Sequence, residues 1–208
     1  MKIAVLGVTG RTGRLVAQSA LDRGYSVRGL ARDPKKLDLR HERLALIEGD
    51  AHDPSAVRRL LEGSNAVVSA LGPSGDAADV CNTATRLVLG TMQETGIRRY
   101  VVVSGAGIDF PGDRKKFGDK LVGKMIRFFQ PATVADKEAE LQVLLGEPGI
   151  DWILARPPRL VDGPAGGSVR VSTDRPRSAK ISRQDLASFL LDQLDSEAYI
   201  RCAPFVSN

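Results

Sequence analysis

Aromatic residues are scarce: six Phe, three Tyr and one Trp make up 5% of the chain. Nucleic-acid modules that stack bases on aromatic platforms therefore find little support, and no nucleic-acid partner is expected. Only two histidines, His41 and His52, and two cysteines, Cys81 and Cys202, occur, and none follows a metal-site spacing. No metal ligands are assigned, and the cysteines read as free thiols of a reducing compartment. No apolar run reaches the roughly 20 residues of a membrane span. The opening MKIAVLGVTG becomes glycine-rich too soon for a signal peptide. The expectation is a cytoplasmic globular protein. What the chain does have is a formal net charge of +5, which favours anionic partners.

A length of 208 residues suits a single domain, 1–208. Short β-rich runs alternate with helical patterns over its first three-quarters. IAVL (3–6), SVRGLA (26–31), LALIEG (44–49), AVVSAL (66–71), YVVVSG (100–105) and DWILAR (151–156) read as strands. Several are almost continuously apolar, as strands buried on both faces are. Gly13, Val16, Ala17 and Ala20 mark one helical face, and Val80, Ala84, Leu87, Val88 and Thr91 mark another. The pattern predicts an α/β fold with a doubly wound parallel sheet and right-handed crossovers. After Arg156 the chain becomes turn-rich, VRVST offers a short strand, and Ser182 with Asp185 forms a capping-box pattern. A helix with Leu186, Phe189, Leu190 and Leu194 on one face follows. Residues 157–208 are expected to be a C-terminal elaboration of the same domain, on the acceptor side.

Between the first strand and the first helix lies 7-GVTGRTG-13. In this context Gly7 permits a tight turn, Gly10 lets backbone approach a phosphate, and Gly13 lets helix and sheet pack closely. The helix N-terminus offers amides and partial positive charge to a pyrophosphate, and Thr9, Arg11 and Thr12 add donors. The second strand ends in 30-LARDPKK-36, where Arg32, Lys35 and Lys36 surround Asp33 with positive charge. Arg32 can bond a 2′-phosphate, so NADP is expected over NAD. Asp50 in 49-GDAHD-53 can accept from an adenine amino group, and Leu71 and Gly72 line the passage along the adenosine and pyrophosphate.

These pieces, with YVVVSGAG, GIDWILARPPRLVDGPAGG and ISRQDLASFLLDQL, resemble the atypical short-chain dehydrogenase/reductases, in particular the biliverdin-IXβ/flavin reductases. The resemblance spans almost the whole chain. It implies that Thr9, Arg11, Thr12, Arg32, Lys36, Asp50, Ala51, Leu71 and Gly72 surround NADP. It also implies that Ser104 and the Pro157–Pro158 turn lie near the nicotinamide. The chain departs from those reductases in carrying Gly105 after Ser104, and Gln142 where they carry a histidine.

None of Tyr25, Tyr100 and Tyr199 is followed by lysine four residues later, so the Tyr-x-x-x-Lys pair of alcohol–ketone chemistry is missing. Hydride transfer to a planar conjugated acceptor such as a flavin, quinone or tetrapyrrole remains, because such an acceptor carries its own electron sink. Ser104 and Lys137 are the candidate catalytic groups. Lys137 with Glu140 reads first as an i,i+3 surface pair and second as a charge at the nicotinamide rim. The alternative function is a non-catalytic NADP-binding sensor. Finally, Phe117, Leu121, Met125 and Phe128 recur at helical spacing, with Lys116, Lys120, Lys124 and Arg127 one place earlier. This basic amphipathic helix is expected to pack its apolar face on the body. As a functional element it reads as a lid over an anionic acceptor, or as a membrane-surface contact through 114–129.

Overall fold

The computed structural model describes residues 1–72 and 79–208. Six strands form one sheet: β1 (Lys2–Leu6), β2 (Ser26–Ala31), β3 (Leu44–Glu48), β4 (Ala66–Ser69), β5 (Arg99–Val103) and β6 (Asp151–Ala155). Their order is β3-β2-β1-β4-β5-β6, and every pairing is parallel. Each predicted strand is present, though four stop one or two residues early, leaving Gly49, Ala70, Leu71, Ser104, Gly105 and Arg156 in the turns beyond. Those turns form the carboxyl edge of the sheet, where open α/β sheets bind ligands.

Helices cover both faces. Helix α1 (Arg11–Asp22) buries Gly13, Val16, Ala17 and Ala20, its expected stripe. It shares one core with Val5, Val68, Val101 and Ile153 of the sheet. Helices α2 (Pro54–Leu61) and α3 (Val80–Thr95) cover the opposite face, where Val57, Leu60, Val88 and Met92 meet Leu6, Val67 and Val102. Asp53 caps α2 by accepting from Ser55 N at 2.9 Å. Between β5 and β6 the chain forms α4 (Phe117–Phe129) and α5 (Pro131–Leu145), which share Gln130 as the end of one and the start of the other.

After β6, β7 (Arg159–Val161) pairs in parallel with β9 (Lys180–Ser182), and β8 (Arg170–Ser172) pairs antiparallel with β10 (Phe205–Ser207). Helix α6 (Arg183–Asp192) begins at the predicted cap, where Ser182 Oγ accepts from Asp185 N at 3.0 Å. Its Leu186, Phe189 and Leu190, with Leu194 just beyond, join the core beside α1. No helix among the described residues is long and apolar enough to cross a membrane.

The expected packing of α4 is reversed. Phe117, Leu121, Met125 and Phe128 are all exposed, and α4 buries no residue. Its polar side, with Asp119, Lys120, Gly123, Lys124 and Arg127, faces the 107–115 segment across a cavity of about 420 Å³. Two features fix this orientation. Small residues let the backbones approach, since a Cβ on Gly123 would lie 3.9 Å from the Gly107 carbonyl oxygen. Arg127 also forks onto Glu138 of α5 at 2.6 and 3.0 Å.

Candidate nucleotide site

The order of the sheet reverses between β1 and β4, and the turns after these two strands touch. Gly7 has φ +72°, and a Cβ there would sit 2.8 Å from the Ala70 carbonyl oxygen. A Cβ on Gly13 would come within 2.1 Å of the Gly7 carbonyl oxygen. Only glycine fits at either place, because the turn folds directly against the first turn of α1. Gly10 N donates to Gly7 O at 2.9 Å and closes the turn. Gly10 itself is exposed and extended, at φ −74° and ψ 164°, as a backbone presented to a ligand must be. Among the described residues no side chain caps α1, and its first turn carries no acidic group. Its leading amides thus form a cradle for an anion, and the residues present fit a nucleotide diphosphate.

The other expected contacts lie along the same edge. Thr12 is buried, Thr9 half-buried and Arg11 exposed, with Arg11 lying 3.5 Å from Asp162 after β7. Arg183 holds the other oxygen of that carboxylate at 2.6 Å. Beyond β2, Arg32 and Lys36 are exposed, while Asp33 accepts from Lys35 N at 3.1 Å and caps a short 3₁₀ turn, Pro34–Lys36. Beyond β3, Asp50 accepts from His52 N at 2.8 Å, and Ala51, like Leu71, packs half-buried against the core beneath α2 and α3. Among the described residues, none comes within 4 Å of a Cβ placed on Gly72. Beyond β5 and β6, Ser104 N donates to Ala155 O at 2.8 Å and Ala106 N to Pro157 O at 2.9 Å, which ties these two turns together. Ser104 Oγ is buried and has no hydrogen-bond partner among the described residues.

Lys137 and Glu140 are not a surface pair. Both are buried, Lys137 at 7% exposure and Glu140 at 0%. The reason is that α5 packs its inner face on the strand ends and on α3, and this ammonium finds three acceptors there. Lys137 Nζ donates to Glu140 Oε2 at 2.9 Å, to Val103 O at 2.9 Å and to Leu71 O at 3.2 Å. It therefore bridges the ends of β4 and β5. Burial alone would lower its pKa, but the Glu140 carboxylate and the hydrogen bonds prevail and hold it well above the ordinary lysine range.

Several neighbours of this lysine carry no sequence signature. Glu140 Oε1 accepts from Thr85 Oγ1 at 2.9 Å, and Thr85 also meets the Tyr100 hydroxyl at 3.0 Å. Burial first, and then Glu140, pushes Tyr100 above the usual phenol range. Asp136 accepts from the amides of Cys81 and Asn82, each at 2.9 Å, and so satisfies the first turn of α3. Burial pushes the Cys81 thiol up to about 12. One signal was present. Val134, Leu141 and Leu144 form an apolar stripe at three- and four-residue steps, and Lys137 occupies its missing position.

On the far side of the β5 turn, Arg156 is wholly buried. It forks onto Asp113 with two bonds of 2.7 Å and lies 3.8 Å over the Phe205 ring. Lys115 donates to Ile108 O at 2.9 Å, and together these contacts pin the 108–115 segment to β6 and β10.

The sequence profile of the NAD(P)H-binding family matches residues 7–197. Cinnamoyl-CoA reductase 1 of Oryza sativa subsp. japonica is 33% identical over 116 residues, or 50% of this chain and 34% of that protein. The matched half of the chain thus spans about a third of that relative's length. Among solved structures, a short-chain dehydrogenase/reductase from Veillonella parvula in complex with NADP superposes with a TM-score of 0.79 at 19% identity, over 100% of this chain and 94% of that one. The anaerobillin reductase ChuY of Escherichia coli O157:H7 superposes with a TM-score of 0.82 at 18% identity, over 100% and 97% of the respective chains.

Proposed function

The chain belongs to the NAD(P)H-binding family and has the fold of the atypical short-chain dehydrogenase/reductases, and from that premise we propose that it is an NADPH-dependent reductase of a planar conjugated acceptor. The observation that carries this reading is the crevice where the sheet order reverses. The Gly7 turn meets the end of β4 on one side, and the joined turns of Ser104 and Pro157 bound the other.

The preference for NADP rests on the ends of β2. Asp33 is engaged by its own turn, while Arg32 and Lys36 are exposed beside it. A guanidinium there suits an extra phosphate. When bound, the reduced nicotinamide supplies a hydride. The chain's contribution is to bind and orient. Ser104 Oγ, buried with no hydrogen-bond partner among the described residues, is suited to orient the carboxamide or the acceptor. Lys137 acts here as a fixed positive charge. Its hydrogen bonds are already given to Glu140 and two strand-end carbonyls, and its raised pKa makes it a poor proton donor. An acceptor able to delocalise the incoming electron pair, and to take its proton from water, matches such a site.

Steady NADPH oxidation by the purified protein with FMN, riboflavin, a quinone or a linear tetrapyrrole tests the reading. Turnover with one of them is expected. Tight NADP binding without turnover across the panel would instead establish the non-catalytic sensor. Gly13→Ala should weaken NADPH at least about tenfold, because its Cβ displaces the Gly7 carbonyl. Equal affinity for NADP and NAD would remove Arg32 from its role.

A further inference from the structure

Seven of the nine exposed large hydrophobic side chains among the described residues lie on α4. Phe117 is 83% exposed, Phe128 80% and Phe129 72%. They are not scattered. Phe117, Leu121, Met125 and Phe128 form one helical row, and Val122, Ile126 and Phe129 form the row beside it. A contiguous apolar face of this kind on a soluble domain marks an interaction surface. The face is held outward by the Arg127–Glu138 fork and by the close approach of Gly123 to Gly107.

We propose that this face of α4 docks on an anionic lipid surface. Charge argues for that occupant. Residues 114–127 hold six Lys or Arg against one Asp; the Lys115 side chain is buried on Asp109 and Asp113 and Arg127 is forked onto Glu138, which leaves Arg114, Lys116, Lys120 and Lys124 exposed. Four exposed cations thus lie on or beside the apolar patch, against the single carboxylate of Asp119. Lys120 and Lys124 run in a third row, flanking Phe117 and Phe128, and make no ion pair among the described residues. Their aliphatic stems can lie along the apolar face while the ammonium groups reach a phosphate headgroup. An apolar face with Phe and Leu, flanked by cations on a helix too short to span, is the pattern of an interfacial helix. Two copies meeting through this face would bring the same charge excess together, which disfavours a second chain as occupant.

The test uses the full chain and sedimented vesicles, one set of phosphatidylcholine alone and one with about a quarter phosphatidylglycerol. Binding to the anionic set only is expected, falling severalfold as salt is raised. The double variant Phe117→Ser/Phe128→Ser should lose at least about tenfold in binding, as should Lys120→Glu/Lys124→Glu. These side chains are exposed, so an unchanged melting temperature and unchanged NADPH titration are expected of both variants. Binding to neither vesicle, or equally to both, would overturn the proposal. So would a lipid-independent dimer abolished by the Phe variant, or protection of α4 from protease by NADPH and acceptor without lipid. Because vesicle binding is read without turnover, its failure stays separate from failure of the reductase reading.

Discussion

Two consecutive helices, joined at Gln130, distribute their polar and apolar groups in opposite senses. In α5, Asp136, Lys137 and Glu140 are buried, whereas α4 buries nothing and turns its phenylalanines to solvent. Burying charge is costly unless every donor and acceptor is matched. In α5 they are matched, by two strand-end carbonyls, a threonine hydroxyl and the leading amides of α3. In α4 the unmatched groups are hydrocarbon, which costs less to expose but calls for a partner from outside the chain. One helix is thus complete within the molecule, and the other leaves an apolar face uncovered.

The contrast breaks most severely at Lys137. Lys137→Met strands the Glu140 carboxylate and should destabilise the fold by about 3–5 kcal/mol in chemical denaturation. Adding Glu140→Leu should restore much of that loss, since the pair is removed as a unit. Asp136→Ala deprives two amides of their acceptor, so a loss of about 1–3 kcal/mol is expected in the same assay.

A third expectation concerns pH. The folded state holds the Cys81 proton up to about 12, while the unfolded thiol releases it near 9. Stability is therefore full below pH 9 and declines as pH rises, by at most about 1.4 kcal/mol per pH unit for this group. Tyr100 and Lys137 are raised too, and their contributions are lost at still higher pH. Thermal melts should be flat from about pH 6 to 8.5 and fall above pH 9, and Cys81→Ala should delay the onset. The smallest effect belongs to α4, where Phe117→Ser with Phe128→Ser should change stability by no more than about 0.5 kcal/mol. Amide exchange sharpens the contrast, because α4 should exchange well before α5.

The strand-forming runs, the glycine turn and the Ser182 cap were legible because each is local. Period, φ requirement and capping chemistry are all written within a few neighbouring residues. The burial of Lys137 and Glu140 left only a gap in the apolar stripe of α5 as its trace, because it depends on Val103, Leu71 and Thr85 arriving from elsewhere in the chain. The orientation of α4 was illegible for a related reason. Amphipathic spacing defines two faces, but which one meets the body was decided by Gly107, Gly123 and Glu138. Arg156 with Asp113 is a third case, a pair 43 residues apart that no spacing reveals. Among the candidate nucleotide residues, the sequence identified the turn that only glycine can form. It carried no sign that Asp162 lies beside Arg11.

The corner at Gln130 has a practical reach. A single residue, at φ −136° and ψ 54°, separates the two helices. Beyond it α4 is tied back chiefly by one ion pair and one glycine contact, while the strut beneath the crevice belongs wholly to α5. Residues 117–129 are accordingly an interchangeable cassette. On the proposed docking, a polar helix grafted in their place would release the protein from an anionic surface and leave the Lys137 strut untouched.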